Sequence, residues 1–125
     1  MDVEIIGKDA NKVQVNTAIG CFIGNWCSLI PADKKRYVVE LDSDEVITPD
    51  VINISDDRNA SIKSINGMVY LVGLVEEIQD KVIILRLQKT IMMLEVSNEF
   101  DFTQYIGHYV NVTLGDINLY DTGIY

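Results

Sequence analysis

The sequence predicts a mainly β fold: a small antiparallel β-barrel or strongly curved sheet with one short helix, or alternatively a β-sandwich. Three observations predict it. The chain holds 17 Ile and 14 Val against 9 Leu and 4 Ala. β-branched side chains are stiff at χ1 and pack well on a pleated surface, whereas Ala and Leu favour helices. Short apolar runs separated by turn residues recur along the whole length. After residue 67 the order is strand, strand, strand, short helix, strand, strand, the order of a five-stranded OB-type barrel.

In chain order, Val3 to Ile6 reads as a strand ended by Gly7 and a polar stretch, and Lys12 to Val15 as its hairpin partner. Ile19 to Ile23 is apolar, and Gly24-Asn25 after it is a turn signal. Pro31 to Lys34 turns the chain into a strand from Tyr37 to Leu41. An acidic segment, residues 40–57, carries seven carboxylates and no Lys or Arg; Pro49 interrupts it, and Val51 to Ile54 is a strand inside it. Met68 to Ile78 is a long strand broken only by Gly73 and Glu76-Glu77. A glycine there suits the sharp bend that closes a small barrel. Lys81 to Gln88 and Thr90 to Val96 follow as strands. Asp101 caps a helical turn over Phe102 to Ile106, which Gly107 terminates. Strands from His108 to Leu114 and Asp116 to Tyr120 complete the set. The apolar C-terminal residues, through Ile124-Tyr125, are expected to dock rather than fray.

No internal repeat, low-complexity tract or Pro/Gly/Ser-rich linker is visible. The expectation is therefore one β-rich domain over 1–125, with N-terminal strands and the acidic segment in 1–66 and an OB-like five-strand unit in 67–125. At 48% hydrophobic and 23% charged, the chain is neither disordered nor fibrous. Its first residues are acidic where a signal peptide is basic, and no apolar run reaches membrane-spanning length. A cytoplasmic protein with two reduced thiols, Cys21 and Cys27, is expected. The sequons at Asn53, Asn59 and Asn111 then read as chance matches.

No Walker-type loop, dinucleotide fingerprint, His-Glu-x-x-His or Gly-x-Ser-x-Gly occurs, which removes the best-marked nucleotide, metal and acyl-transfer chemistries. His108 is the sole histidine and hence the first candidate for acid–base work, yet a lone His opening a strand is more often a surface or packing residue. Cys21 and Cys27 are too far apart for a zinc pair and lack companion ligands, so they read as buried or half-buried thiols around a glycine turn. No catalytic residue, metal or cofactor is assigned. Trp26, the only tryptophan, is either an interface anchor or the largest core side chain.

The charge is the feature most open to a functional reading. Nineteen acids against ten bases give a net charge of −9, and seven of the acids, Glu40, Asp42, Asp44, Glu45, Asp50, Asp56 and Asp57, fall in one segment. Asp42-Ser43-Asp44-Glu45 lacks the glycine and the spacing of a calcium loop. A one-signed surface attracts an oppositely charged partner and speeds their encounter. The expectation is a non-catalytic module that binds a basic protein through these acids and Trp26. An immunity protein or inhibitor neutralising a toxin such as a nuclease would be one form of it. Two alternatives stand beside it. One is an OB-type oligonucleotide-binding module stacking bases on Tyr70, Tyr105, Tyr109, Tyr120 and Trp26. It is weakened by the eight acids against Lys81, Arg86 and Lys89 in residues 67–125, so no nucleic-acid or membrane partner is expected. The other is a small enzyme or enzyme subunit centred on His108. A homodimer is left open by the heavy apolar content from Met68 to Leu94.

Overall fold

A computed structural model of the chain describes residues 1–123. Eleven strands carry it among the described residues: β1 (Asp2–Asp9), β2 (Lys12–Thr17), β3 (Gly20–Trp26), β4 (Arg36–Asp42), β5 (Ile52–Ile54), β6 (Ser61–Ile65), β7 (Met68–Gln79), β8 (Val82–Leu87), β9 (Thr90–Glu95), β10 (Tyr109–Leu114) and β11 (Asn118–Asp121). Two short 3-10 turns, Pro49–Val51 and Phe102–Tyr105, are the only helical pieces among them. The mainly β barrel class expected from the Ile and Val content is the one found.

Five strands close a barrel in the order β1-β2-β3-β11-β4, with β4 returning to β1. All neighbours are antiparallel except β3 and β11. This is an OB-type arrangement, built from the N-terminal strands and the last strand of the chain. The expected barrel of residues 67–125 is corrected in one respect: its last strand, β11, leaves it and closes the first barrel. The remaining strands form a second sheet in the order β5-β10-β7-β8-β9, with β6 also paired to β7.

The two sheets are one pattern used twice. Pairings in β1-β2-β3 recur in β7-β8-β9 at a constant offset of 70: Gln14↔Ile23 as Ile84↔Met93, and Asp9↔Lys12 as Gln79↔Val82. Even the β-bulge between Ile5 and Gly7 recurs between Val75 and Glu77. The β1–β4 pairs Val3↔Tyr37 and Glu4↔Arg36 reappear as Gly73↔Val110 and Leu74↔Tyr109. An internal structural repeat is thus present where none was visible in the sequence. The reason is plain: no position in 2–26 is identical to its counterpart in 72–96. What the halves share is which positions point inward. Val13, Val15 and Phe22 match Ile83, Leu85 and Met92, all at most 2% exposed.

The fifth strands are exchanged. After β4 the chain crosses to the second sheet, where Ile47 bridges Val96 in parallel and β5 pairs with β10. After β10 it crosses back, and Leu119 pairs with Trp26 in parallel and with Leu41 antiparallel. Each half therefore supplies the strand that completes the other. Gly24 makes the return crossing feasible, because a Cβ there would lie 2.2 Å from Leu119 Cδ1 and 2.9 Å from the Ile117 carbonyl oxygen. Gly73 likewise sits where a Cβ would meet Leu85 Cγ at 2.8 Å, which is the close approach its place in a bent strand predicts.

β6 was not anticipated, although its turn was marked. Asn66-Gly67, at φ 52° and 80°, joins β6 to β7, and Asn-Gly between apolar runs is a strong short-range hairpin signal. The Phe102–Tyr105 turn is capped as expected, with Asp101 accepting from the Thr103 amide at 3.0 Å. Leu119 is fully buried, so the C-terminal strand docks; Ile124 and Tyr125 lie outside the described residues. No helix of the described residues is long and apolar enough to cross a membrane.

Candidate functional site

The acidic segment follows the strand exchange, and its seven carboxylates part into separate settings. Glu40 and Asp42 alternate with buried Val39 and Leu41 on β4, so the pleat turns them outward. They line a groove of about 560 Å³ with Leu41, Thr90, Ile91, Met93 and Tyr120. The edge strand β9 supplies one wall, β4 the other, and β11 brings Tyr120 opposite Glu40. Ile91, Met93 and Tyr120 are 39%, 56% and 38% exposed, a concentration of accessible apolar surface. None of the residues lining the groove is basic. Arg86, the cross-strand neighbour of Ile91, is held at 2.9 and 3.1 Å by Glu76.

Burial and the neighbouring Cys27, Asp42 and Asp44 hold the Tyr120 phenol above its ordinary range, so at neutral pH it is an uncharged donor and an aromatic face. A cation laid on such a face between carboxylates meets both the ring quadrupole and the charges. Aliphatic stems of Lys or Arg would also lie on Ile91 and Met93.

The next two acids are used within the fold. The Glu45 carboxylate accepts the backbone amides of Gly115 at 3.0 Å and Asp116 at 3.1 Å, clasping the connection between β10 and β11. Asp44 accepts from the buried Asn118 side chain at 3.2 Å, and Asn118 in turn accepts from Asn25 at 3.0 Å. These bonds tie the outgoing crossing to the returning one. Asp50 accepts from Thr48 within the first 3-10 turn, a bond that lowers its pKa. Asp57 accepts the Asn59 amide at 2.9 Å and closes a local turn. Asp56 lines a separate recess with Arg58, His108 and Tyr109. The ion pairs of the described residues, Lys12–Asp116, Arg36–Glu4 and Arg86–Glu76, take in none of the seven.

Trp26 is partly buried against the core. Its ring packs on Tyr37 at a centroid distance of 4.8 Å, and its Nε1 donates to the Ile30 carbonyl at 2.8 Å. It therefore anchors the β3–β4 loop and does not join the groove. His108 is exposed in the turn before β10, where its backbone amide donates to Tyr105 and its carbonyl accepts from Val75. Cys21 and Cys27 are both exposed free thiols, which corrects the expectation of buried or half-buried ones: β3 turns Phe22 and Gly24 inward and Cys21 outward, and Cys27 follows the strand's end. Among the described residues no cluster of three or more His, Cys, Asp or Glu is arranged to hold a metal.

Sequence reasoning singled out Glu40 and Asp42 for their charge and did not anticipate Ile91, Met93 and Tyr120 lining the same groove. Alternation along β9 gave Ile91 and Met93 a face; it could not say that β4 and β11, which carries Tyr120, would lie beside it. The chain matches no protein-family model, no curated protein and no solved structure.

Proposed function

We propose that this chain is a non-catalytic protein-binding module that engages a basic protein at the groove between β4 and β9. One observation carries the reading: Glu40 and Asp42 flank the accessible Ile91, Met93 and Tyr120 with no basic residue in the lining. Such a site supplies what an interface needs, an apolar centre that can be desolvated and a charged rim that selects its partner. The net charge of −9 draws a cationic partner from a distance. Inhibition of a basic toxin, as by an immunity protein, is the form of this function that suits so acidic a chain. The oligonucleotide reading gains the OB-type strand order, but charge opposes it: Lys12 and Arg36 of the closed barrel are paired with Asp116 and Glu4, Arg86 of the second sheet is paired with Glu76, and the net charge of −9 repels phosphates.

The test is titration of fluorescein-labelled octa-arginine by anisotropy at low and at physiological salt, with wild type and with the Glu40→Gln/Asp42→Asn double variant. Two exposed charge contacts of about 0.5 kcal/mol each predict roughly fivefold weaker binding in the variant, with most of the difference lost at the higher salt. Equal affinities for the two proteins at low salt would remove this groove as the acidic docking site.

A further inference from the structure

The internal repeat supplies a control that a single sheet does not. Both halves hang the same pleated strands on the same register, so positions offset by 70 do the same structural work. Their inward faces are equally apolar, but their outward faces differ. Outward on the second sheet stand Leu74, Ile84, Ile91 and Met93, of which Ile84, Met93 and Ile91 adjoin while the ion-paired Arg86 separates Leu74 from Ile91; the equivalent positions on the first are Glu4, Gln14, Cys21 and Ile23. The first half folds with Glu4, Gln14 and Cys21 at three of these positions and an apolar residue only at Ile23, 46% exposed, so folding does not require apolar side chains at the other three. Scattered exposed apolar residues need no explanation, but a contiguous patch does. The patch also borders an edge strand, where natural sheets carry charge to discourage association. The run Thr90-Ile91-Met92-Met93-Leu94 carries none.

We infer that the outward face of β8 and β9 is a docking surface for aliphatic side chains of a cationic partner, continuous with the Glu40–Asp42 groove. The inference rests on the functional reading above and adds the chemistry of the partner's central residues. Charge argues against a second copy of this chain as the occupant. Glu77 and Glu95 border the patch in register with Ile84 and Val82, Glu40 and Asp42 flank it, and two such rims would repel. A partner presenting aliphatic residues within a Lys- or Arg-rich border satisfies both parts. Met93, the outward methionine of β9, has a flexible thioether that suits a surface adapting to its occupant.

The experiment compares tetra-arginine with an eight-residue peptide alternating arginine and leucine, which carries the same four guanidinium groups, both labelled, binding to the full chain by anisotropy. Desolvating about one leucine predicts about tenfold tighter binding of the alternating peptide. Ile91→Gln/Met93→Gln should abolish that advantage, whereas Ile23→Gln, the first-half counterpart of Met93, should keep it. Met93→Gln alone, at a half-exposed position, serves if the double variant unfolds, and should reduce the advantage. If the alternating peptide gains nothing over tetra-arginine, or its advantage survives Met93→Gln unchanged, the apolar surface is not the docking face, while salt-sensitive binding at Glu40 and Asp42 would still stand. If neither peptide binds, both proposals fall. Sedimentation of a dimer that Met93→Gln dissociates would instead make this face a self-interface and overturn the cationic occupant.

Discussion

Glu45 belongs by sequence to the acidic segment and by geometry to the strand crossing. Its two bonds to the Gly115 and Asp116 amides are charge-assisted, but water reaches them. Glu45→Ala should therefore lower stability by about 1 kcal/mol in urea unfolding. The same change should leave octa-arginine binding nearly untouched; an unchanged unfolding midpoint with weakened binding would reverse the assignment. Asp101 offers a pH prediction. Hydrogen bonds from the Thr103 hydroxyl at 2.6 Å and the Thr103 amide at 3.0 Å lower its pKa from the ordinary 3.8. A carboxyl depressed in the folded state stabilises the fold above the ordinary value, and that contribution is lost as pH falls through the folded-state pKa. Thr103→Val should raise the Asp101 midpoint part of the way toward 3.8 in a carboxyl NMR titration and soften the acid limb of stability. A midpoint that does not move would deny the hydroxyl its role.

At the level of elements, local signals were legible and pairing partners were not. The β-rich run around Gly73, the Asp101 cap and the strand preceding Gly115 all follow from side-chain shape, alternation and turn chemistry. The β6–β7 hairpin was equally marked, by Asn66-Gly67. The destination of β11 was not: Asn118 to Asp121 would suit either barrel by pattern, and what decides is the space left by Gly24 beside Leu119 and the Asp44–Asn118–Asn25 bonds. Gly24→Ala should push β11 off its seat and cost about 1–3 kcal/mol. Native-state hydrogen exchange should show the loss first at the Asn25 and Cys27 amides, which donate to Ile117 and Leu119. Uniform loss of protection across both sheets would mean that β11 does not open as a separate unit.

The whole molecule is a fold repeated twice with its closing strands traded, and that trade sets the candidate site. By returning to the first barrel, β11 carries Tyr120 to Glu40; by staying at the edge of the second sheet, β9 keeps Ile91 and Met93 accessible beside them. Composition announced the acidity but not its division, because contiguous sequence is distributed over both halves once the chain crosses between them. Of the seven acids of the segment, the structure leaves Glu40 and Asp42 at the groove and takes Asp44 and Glu45 into the crossing. The repeat itself escaped the sequence because the halves preserve burial rather than identity. The most direct measurement is an amide NMR map of the chain titrated with the alternating arginine–leucine peptide. The account predicts perturbations gathered on Glu40, Asp42, Ile91, Met93 and Tyr120, with the first-half face of Gln14 and Cys21 silent. Perturbations spread evenly over the carboxylates, or centred on Asp56 and Asp57, would contradict it.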